Sequence, residues 1–208
     1  MNIRFVHVPK TGGISIVQSL KESIFMLGEK ESESWEIIGT DGTYHSRASS
    51  PKYFKRPDLE KEDVQHKKLL DTSFSFSFIR NPWDRFVSSY CYLKEKKDEE
   101  YEKYIKPFKS FKDFAINGSI ESLHFKPQTY WIDAPINFVG RFEKLQSHFD
   151  GLCKTLGLST QKLKKMNSTT HKSYLDYYDA ETIKAVEHKY KEDVKLLGYS
   201  LEGYTHPS

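Results

Sequence analysis

The stretch FVHVPKTGGISIVQSL, residues 5–20, places an apolar strand, a turn with two glycines and an apolar helix directly after one another. Its hydrophobic pattern predicts a strand over Ile3–Val8, a turn over Pro9–Gly13 and a helix over Ser15–Leu27. The helix is indicated by apolar residues at helical spacing: Ile16, Val17, Leu20, Ile24 and Leu27. A strand that passes at once into a helix is half of a βαβ unit, so the fold depends on whether the pattern returns.

The same order returns in FSFIRNPWDRFVSSY, residues 76–90. Residues 74–78 alternate phenylalanine with serine, as in a strand with two different faces. Asn81 is a preferred N-cap residue, and proline suits the first position of a helix, so a helix is predicted from Pro82 to about Lys94.

A third strand is predicted by INFVGRFE, residues 136–143, and the spacing of leucines and a phenylalanine over residues 145–156 predicts a helix after it. A long C-terminal helix is predicted between Asp179 as N-cap and Gly198 as its stop. Strands that alternate with helices favour a parallel sheet covered on both faces. The predicted fold class is α/β, a P-loop-like three-layer α/β/α arrangement with a central, mostly parallel sheet.

Length and composition narrow the classes of protein. A chain of 208 residues fits a single domain over 1–208, and the charged, serine-rich residues 28–71 predict a mobile loop region. The formal charge of +3 is too small to indicate nucleic-acid binding, but it is compatible with a basic pocket for an anion. The two cysteines lack zinc-type spacing, and the sequence shows neither a signal peptide nor an apolar stretch near the ~20 residues of a membrane span. We therefore expect a cytoplasmic protein with no metal site and no membrane span.

The turn at residues 9–13 has the features of an anion-binding site. Two glycines let the backbone approach a ligand closely, and the N–H groups that begin the next helix favour negative charge. Lys10 adds a cation, while Thr11 and Ser15 add hydroxyl donors. The GxxxxGK[ST] order of a P-loop is absent because the lysine precedes the glycines, and no acid stands out as a magnesium ligand. The pattern favours a nucleotide phosphate bound without metal; the plainer alternative is a tight turn with an exposed lysine.

Together, HVPKTGGIS and FIRNPWDRFVSSY resemble the two nucleotide-binding segments of the sulfotransferases that use PAPS, 3′-phosphoadenosine-5′-phosphosulfate. NFVGRFEKL at 137–145 and the C-terminal helix are similar to the carbohydrate-type branch, which includes the uronosyl 2-O-sulfotransferases and short bacterial relatives. The resemblance implies that Arg80 and Ser88 hold the 3′-phosphate of PAPS. It also implies that one run of residues cradles the 5′-phosphosulfate: Lys10, Thr11, Gly12, Gly13, Ile14 and Ser15.

The resemblance implies further roles. Lys10 would be catalytic, by placing positive charge at the bridging oxygen of the departing phosphate. Arg141 would face the cofactor or the acceptor; the alternative is a salt bridge with Glu143 or another neighbouring acid. A loop over the nucleotide would add three candidate cofactor contacts: Asn167, Ser168 and Thr169.

Transfer to a hydroxyl group needs a base, and histidine is suited because its unperturbed pKa of about 6.5 is near operating pH. The resemblance implies a catalytic histidine in the loop after the first strand and helix, which is His45 in GTYHSRA. His124 in HFKPQTYWI is the alternative base, and together with Gln128 it is a candidate contact of the acceptor. Arg47 is a candidate contact of an acidic acceptor such as a uronate, with a solvated loop arginine as the alternative.

The predicted function is metal-independent, in-line transfer of the sulfuryl group from PAPS to a hydroxyl of an acceptor, a saccharide by resemblance. Two other classes stay open at this point. One is a magnesium-dependent nucleotide phosphotransferase or kinase, and the other is a non-catalytic nucleotide-binding module that serves as an interaction protein. The sequence identifies neither the acceptor nor the oligomeric state.

Overall fold

The computed structural model describes residues 2–26, 35–38, 73–132, 136–164 and 172–204. The chain forms two compact units, the first from residues 1–79 and 131–166 and the second from residues 80–130 and 167–208. The first unit carries a parallel sheet, and the described part of the second is mainly helical.

The bounds of the elements follow in chain order. The strands are β1 (Asn2–Val6), β2 (Trp35–Ile38), β3 (Ser73–Ile79), β4 (Phe138–Arg141), β5 (Tyr199–Ser200) and β6 (Gly203–Tyr204). The helices are α1 (Gly13–Met26), α2 (Pro82–Lys96), α3 (Glu99–Tyr104), α4 (Phe111–Asn117), α5 (Gln128–Trp131), α6 (Leu145–Thr155), α7 (Ala180–Lys189) and α8 (Lys191–Leu197). Short 3₁₀ turns lie at Phe142–Lys144 and Tyr174–Tyr177.

The sheet of the first unit has the strand order β2-β1-β3-β4, and all its neighbouring strands run parallel. Strands β1 and β3 occupy the centre, which places the ends of both predicted nucleotide-binding strands side by side in one sheet. The predicted α/β class with a central parallel sheet flanked by helices is confirmed.

One face of this sheet is apolar because alternate residues of paired strands point to the same side. Phe5 pairs with Phe76, and their rings stack with centroids 4.7 Å apart. Helices α1 and α6 pack against this face, and the cluster they form with it includes the buried Ile16, Leu20, Phe149 and Leu152. The apolar periodicity that predicted both helices therefore marks the residues that bury them against the sheet.

The structure corrects the sequence analysis over residues 28–71. Residues 35–38, with the sequence WEII, form strand β2 and pair in parallel with β1, whereas a loop region was predicted there. The reason is that a four-residue segment becomes a strand only through pairing with a neighbour, which a local pattern does not reveal. The other residues of 28–71 lie outside the described part of the chain.

The second unit begins with the predicted cap and helix. The Asn81 side-chain oxygen accepts from the N–H groups of Trp83 and Asp84 at 3.0 and 3.4 Å, which confirms Asn81 as the N-cap of α2. Pro82 occupies the first helical position, as predicted. The helix ends at Lys96, two residues beyond its predicted end.

Aromatic residues form the core of the second unit. The ring of Phe86, on α2, lies with its centroid 5.2 Å from those of both Phe114 and Phe125. Phe111 and Tyr190 complete the group around it, at 5.8 and 6.1 Å. This cluster holds α2 against α4 and α7, so the residues that follow Arg80 have a fixed support.

The C-terminal helix is interrupted, which corrects the prediction of one continuous helix. Asp179 caps α7 and Gly198 ends α8 in the left-handed conformation, as predicted, but the helix breaks at Tyr190, where φ is −115° and ψ is 27°. The Tyr190 hydroxyl donates to the carbonyl of Phe125 at 2.6 Å. The apolar stripe continues across this one-residue break, so periodicity alone did not reveal it.

Candidate active site

In the first unit, the turn after β1 has an unusual backbone. Lys10 has a φ of 66° and Gly12 a φ of 84°, both in the left-handed region. Glycine adopts this region without cost, whereas lysine does so only when its surroundings hold it there. Gly12 also lies against the start of α6, because a Cβ at this position would lie 2.9 Å from Leu145 Cδ2. The turn therefore has a defined backbone conformation that its surroundings maintain.

Gly13 is the first residue of α1, and the imidazole of His7 lies directly over it. A Cβ on Gly13 would collide with the His7 ring, which in turn stacks on Phe5 with centroids 5.3 Å apart. The second glycine is thus required by a close side-chain approach. His7 thus packs within the first unit.

The polar groups of this turn have two kinds of role: some stabilise the turn itself, and others lie at the N-terminal end of α1. The buried Thr11 hydroxyl donates to the carbonyl of Val8 at 2.8 Å, so its proton stabilises the turn. The first bond of the helix runs from the Ile16 N–H to the Gly12 carbonyl at 3.2 Å, and the N–H groups before it point out of the N-terminal end. Ser15 is buried in this first turn, and Ile14 is 48% exposed. A half-buried lysine beside a helix N-terminus is suited to an anion.

Arg141 ends β4, in register with Ile79 at the end of β3. Its backbone N–H donates to His148 Nδ1 on α6 at 2.7 Å. Burial, together with the charges of Lys144 and Arg141, lowers the pKa of His148. Nδ1 accepts this bond only while it carries no proton, so the neutral imidazole fixes the end of β4.

In the second unit, Arg80 is held by its side chain. Its Nε and Nη2 donate to the two carboxylate oxygens of Asp84 at 2.7 and 2.8 Å, one helical turn further along. The pair is bidentate, which is the strongest form of an arginine–carboxylate contact. Both side chains are largely buried, so the guanidinium has a defined orientation.

Arg80 is also held by its backbone. The Gln128 amide accepts from the Arg80 N–H and donates to the Arg80 carbonyl, each at 2.8 Å. Gln128 is completely buried. Both polar groups of the Gln128 side chain are therefore bonded to the Arg80 backbone, and its contact with the acceptor stays a prediction.

Ser88 lies on α2, eight residues after Arg80, and is 2% exposed. Among the described residues, its hydroxyl has no hydrogen-bond partner. The same helix contains Arg85, whose fully buried guanidinium donates to the carbonyls of His124 and Lys126. Arg85 thus has a structural role, because it joins α2 to the segment of residues 124–126.

His124 is oriented by a carboxylate. Its Nδ1 lies 2.6 Å from Glu100 Oε2, and Ser122 donates to the other oxygen of Glu100 at 3.1 Å. The ring packs against Tyr92 with centroids 5.1 Å apart. A carboxylate at Nδ1 fixes the tautomer that has Nε2 as its basic nitrogen. His124 is therefore arranged as a histidine that could accept a proton.

Five predicted site residues lie outside the described part of the chain: His45, Arg47, Asn167, Ser168 and Thr169. Their roles stay predictions. The sequence analysis, in turn, missed three contacts: His7 over Gly13, His148 with Arg141, and Gln128 with Arg80. Of these, only the contact at Gly13 had a local signal in the sequence, since a pair of glycines marks a close approach.

A sequence model of the sulfotransferase family matches residues 1–200. The chain belongs to the sulfotransferase family. The match spans both predicted nucleotide-binding segments and includes residues of both units, and the family's chemistry makes this protein a transferase of sulfuryl groups. Sulfotransferases of this family generally use PAPS as the sulfate donor and a hydroxyl-bearing acceptor. No curated protein sequence matches this sulfotransferase significantly. Within the ranges described, it has no helix of sufficient length and hydrophobicity to cross a membrane.

Proposed function

We propose that this sulfotransferase transfers the sulfuryl group of PAPS to a hydroxyl group of a saccharide, by metal-independent in-line displacement. When bound, PAPS supplies a sulfuryl group attached to a phosphate leaving group. The family match over residues 1–200 supports the reaction. The turn at residues 9–13, with its features of an anion site, is the observation that favours PAPS as the donor. That turn joins a lysine, two glycines and the N-terminus of a 14-residue helix.

The first segment of the proposal is the turn itself. The Lys10 ammonium group would stabilise the negative charge that develops on the leaving phosphate oxygen. The N–H groups at the start of α1 would bind the remaining oxygens, and Ile14 and Ser15 belong to this first turn. Because the backbone is already in its left-handed path at Lys10, the donors need little rearrangement on binding.

The second segment of the proposal is the start of α2. Arg80 and Ser88 would bind the 3′-phosphate, which distinguishes PAPS from most other adenine nucleotides. The bidentate pair with Asp84 orients the Arg80 guanidinium, and the planar fork of N–H donors of this group matches the oxygens of a phosphate. The Ser88 hydroxyl, with no partner among the described residues, suits a phosphate oxygen. The chemistry of this donor set therefore fits the second phosphate of PAPS.

The base of the proposal is His45, which would accept the proton of the acceptor hydroxyl. His124 is the alternative, and its bond to Glu100 is the observation that keeps it in consideration. Arg141, Asn167, Ser168 and Thr169 stay candidate contacts of the cofactor, and Arg47 stays a candidate contact of an acidic saccharide.

The donor is tested by calorimetric titration with 3′,5′-adenosine bisphosphate, 5′-AMP and magnesium-ATP. The variants are Arg80→Ala and, as a matched control, Lys94→Ala, which removes the same charge from the exposed face of the same helix. We expect the wild type to bind the bisphosphate at least about tenfold more tightly than 5′-AMP, Arg80→Ala to lose this preference, and Lys94→Ala to keep it. Equal binding of the two nucleotides, or a preference for magnesium-ATP, would reject the proposal in favour of a phosphotransferase.

The base is tested with His45→Ala and His124→Ala in a transfer assay that uses PAPS and a desulfated glycosaminoglycan as acceptor. We expect His45→Ala to lower the transfer rate by about 10²-fold or more, the usual contribution of a general base, with unchanged affinity for 3′,5′-adenosine bisphosphate. We expect His124→Ala to keep most of the rate. The reverse pattern would assign the base to His124 and its carboxylate partner Glu100.

A further inference from the structure

Arg80 is the first residue after the central strand β3 and directly precedes Asn81, the N-cap of helix α2. The ladder between β3 and β4 ends at the pair of Ile79 and Arg141, and the first capping bonds of α2 are made by Asn81. Arg80 therefore lies between two regular elements and belongs to neither of them. In an ordinary strand-to-helix junction the peptide N–H and carbonyl groups of such a residue are satisfied by water or by whichever side chains are close.

Here a single side chain satisfies both groups. The Gln128 Oε1 accepts from the Arg80 N–H and the Gln128 Nε2 donates to the Arg80 carbonyl, each at 2.8 Å. These two bonds imitate the pairing that another strand would provide. Since Gln128 is 0% exposed, water does not compete for them.

Gln128 is fixed in turn by a buried carboxylate. Asp193, also 0% exposed, accepts from the backbone N–H groups of Gln128 and Thr129 at 2.7 and 2.9 Å. Its Oδ1 also accepts from the Thr129 hydroxyl at 2.9 Å. Asp193 therefore holds the first turn of α5, the turn from which the Gln128 side chain extends to Arg80.

The side chain of Arg80 is long, so a small rotation of its backbone produces a large displacement of the guanidinium group. Asp84 aligns the guanidinium, but Asp84 lies on α2 and does not hold the Arg80 backbone. Misplacement of a binding group by about 1 Å is enough to weaken a site strongly. The path from Asp193 through Gln128 is what holds the backbone end of this residue.

We propose that Gln128 is a positioning residue for recognition of the 3′-phosphate: it fixes the backbone of Arg80, and Asp193 holds Gln128 in place. The inference rests on the proposed function, in which Arg80 binds that phosphate. It replaces the predicted contact of Gln128 with the acceptor by a role in selecting the nucleotide.

The test compares Gln128→Met with Thr129→Val. The first variant keeps the volume of the side chain and removes both bonds to Arg80. The second removes a bond to the same carboxylate from the next residue and leaves the bonds to Arg80 intact. Gln128→Glu, which keeps the acceptor for the Arg80 N–H and loses the donor, is the second variant in case Gln128→Met does not fold.

Two readouts are measured on each protein. The first is the calorimetric ratio of affinities for 3′,5′-adenosine bisphosphate and 5′-AMP. The second is the hydrogen-exchange rate of the Arg80 backbone amide in the protein without nucleotide, followed by NMR. We expect Gln128→Met to reduce the affinity ratio by about tenfold, to leave 5′-AMP affinity within about twofold, and to accelerate exchange at Arg80 by about tenfold or more. Gln128→Glu should give a smaller loss of the ratio, and Thr129→Val should leave the ratio within about twofold of the wild type.

The outcomes separate the two proposals. If the wild type prefers the bisphosphate, Arg80→Ala loses the preference and Gln128→Met keeps it, the positioning role is wrong while the proposed function stands. If Gln128→Met lowers the affinities for both nucleotides equally, or Thr129→Val lowers the ratio as much, the role of Gln128 is only structural. If the wild type shows no preference for the bisphosphate, the proposed function fails and this inference fails with it, whatever the exchange rate at Arg80.

Discussion

Lys10 has two properties that are usually separate, a positive charge at a helix N-terminus and a left-handed backbone. A residue with a Cβ is strained by roughly 1–2 kcal/mol in this region, so a simple surface turn would favour glycine. The presence of lysine is explained if its charge is needed at this place. Strain that is retained in a turn beside a predicted phosphate site indicates a functional residue.

Lys10→Gly separates these two properties. It should be more stable than Lys10→Ala by about 0.5–1 kcal/mol, because glycine removes the left-handed strain while losing more entropy on folding. Both variants should lose sulfuryl transfer to a similar extent, since both lack the ammonium group. Urea denaturation and a transfer assay measure the two effects. Wild-type transfer by Lys10→Gly would show that the residue serves the turn alone.

Gly13 and His7 form a steric pair that a double-mutant cycle can test. Gly13→Ala should destabilise the protein by about 1–3 kcal/mol, because its methyl group would collide with the His7 ring. In the background of His7→Ala the same substitution should be neutral or slightly stabilising, since alanine is favoured over glycine in a helix. Denaturant midpoints provide the four free energies. An equal cost of Gly13→Ala in both backgrounds would contradict the steric explanation.

At the scale of elements, the junction between β4 and α6 is sensitive to pH through His148. The folded-state pKa of His148 lies below its ordinary value, so the unfolded chain takes up a proton before the folded one does. The contribution of the neutral His148 to the free energy of unfolding is therefore complete above about pH 6.5, the unfolded-state pKa. It is lost as the pH falls from there through the lower pKa of the folded state.

His148→Gln should reduce the loss of stability between pH 7.5 and pH 5.5, because glutamine can accept from the Arg141 N–H without taking up a proton. His188→Gln, at an exposed position of α7, is the matched control and should leave the pH dependence as it is in the wild type. Urea midpoints at the two pH values are the measurement. An unchanged pH dependence in His148→Gln would show that another group is responsible.

At the scale of the whole molecule, the elements that could be predicted are those that carry their own signals. The apolar face of α1, the alternation of β3 and the Asn81-Pro82 start of α2 are local features, and the structure confirms each. Strand β2 and the break at Tyr190 depend on partners far away in sequence, so local patterns gave a loop and a continuous helix instead.

The distinction between local signals and distant partners also explains which parts of the candidate site could be predicted. Lys10 and Arg80 stand in motifs that could be recognised in the sequence, because charged residues next to glycines or a proline cap are visible there. The support of Arg80 could not be predicted, since Gln128 is 48 residues and Asp193 more than 100 residues further along the chain. A buried glutamine has no sequence signature that distinguishes it from one that contacts a ligand.

The prediction of a single domain over residues 1–208 can be tested by unfolding, because the chain forms two compact units with separate cores. Phe76→Ala removes a buried ring from the first unit and Phe86→Ala one from the second, each at a cost of about 3–5 kcal/mol. For a single cooperative domain, both variants should unfold in one transition at a lowered urea midpoint, with circular dichroism and tryptophan fluorescence coincident. A separate early transition in either variant would show that the units unfold independently.

Because of the break at Tyr190, the number of residues between Tyr190 and Asp193 is constrained. Tyr190 is anchored to the Phe125 carbonyl and Asp193 to the backbone of Gln128, so the three-residue step between them spans two anchored points. One residue inserted or deleted within that step would turn the rest of α8 by about 100° and take the carboxylate away from α5. We therefore expect that variants of this chain which retain the site have no insertion or deletion within residues 190–193, although no residue of that segment is proposed to touch a ligand.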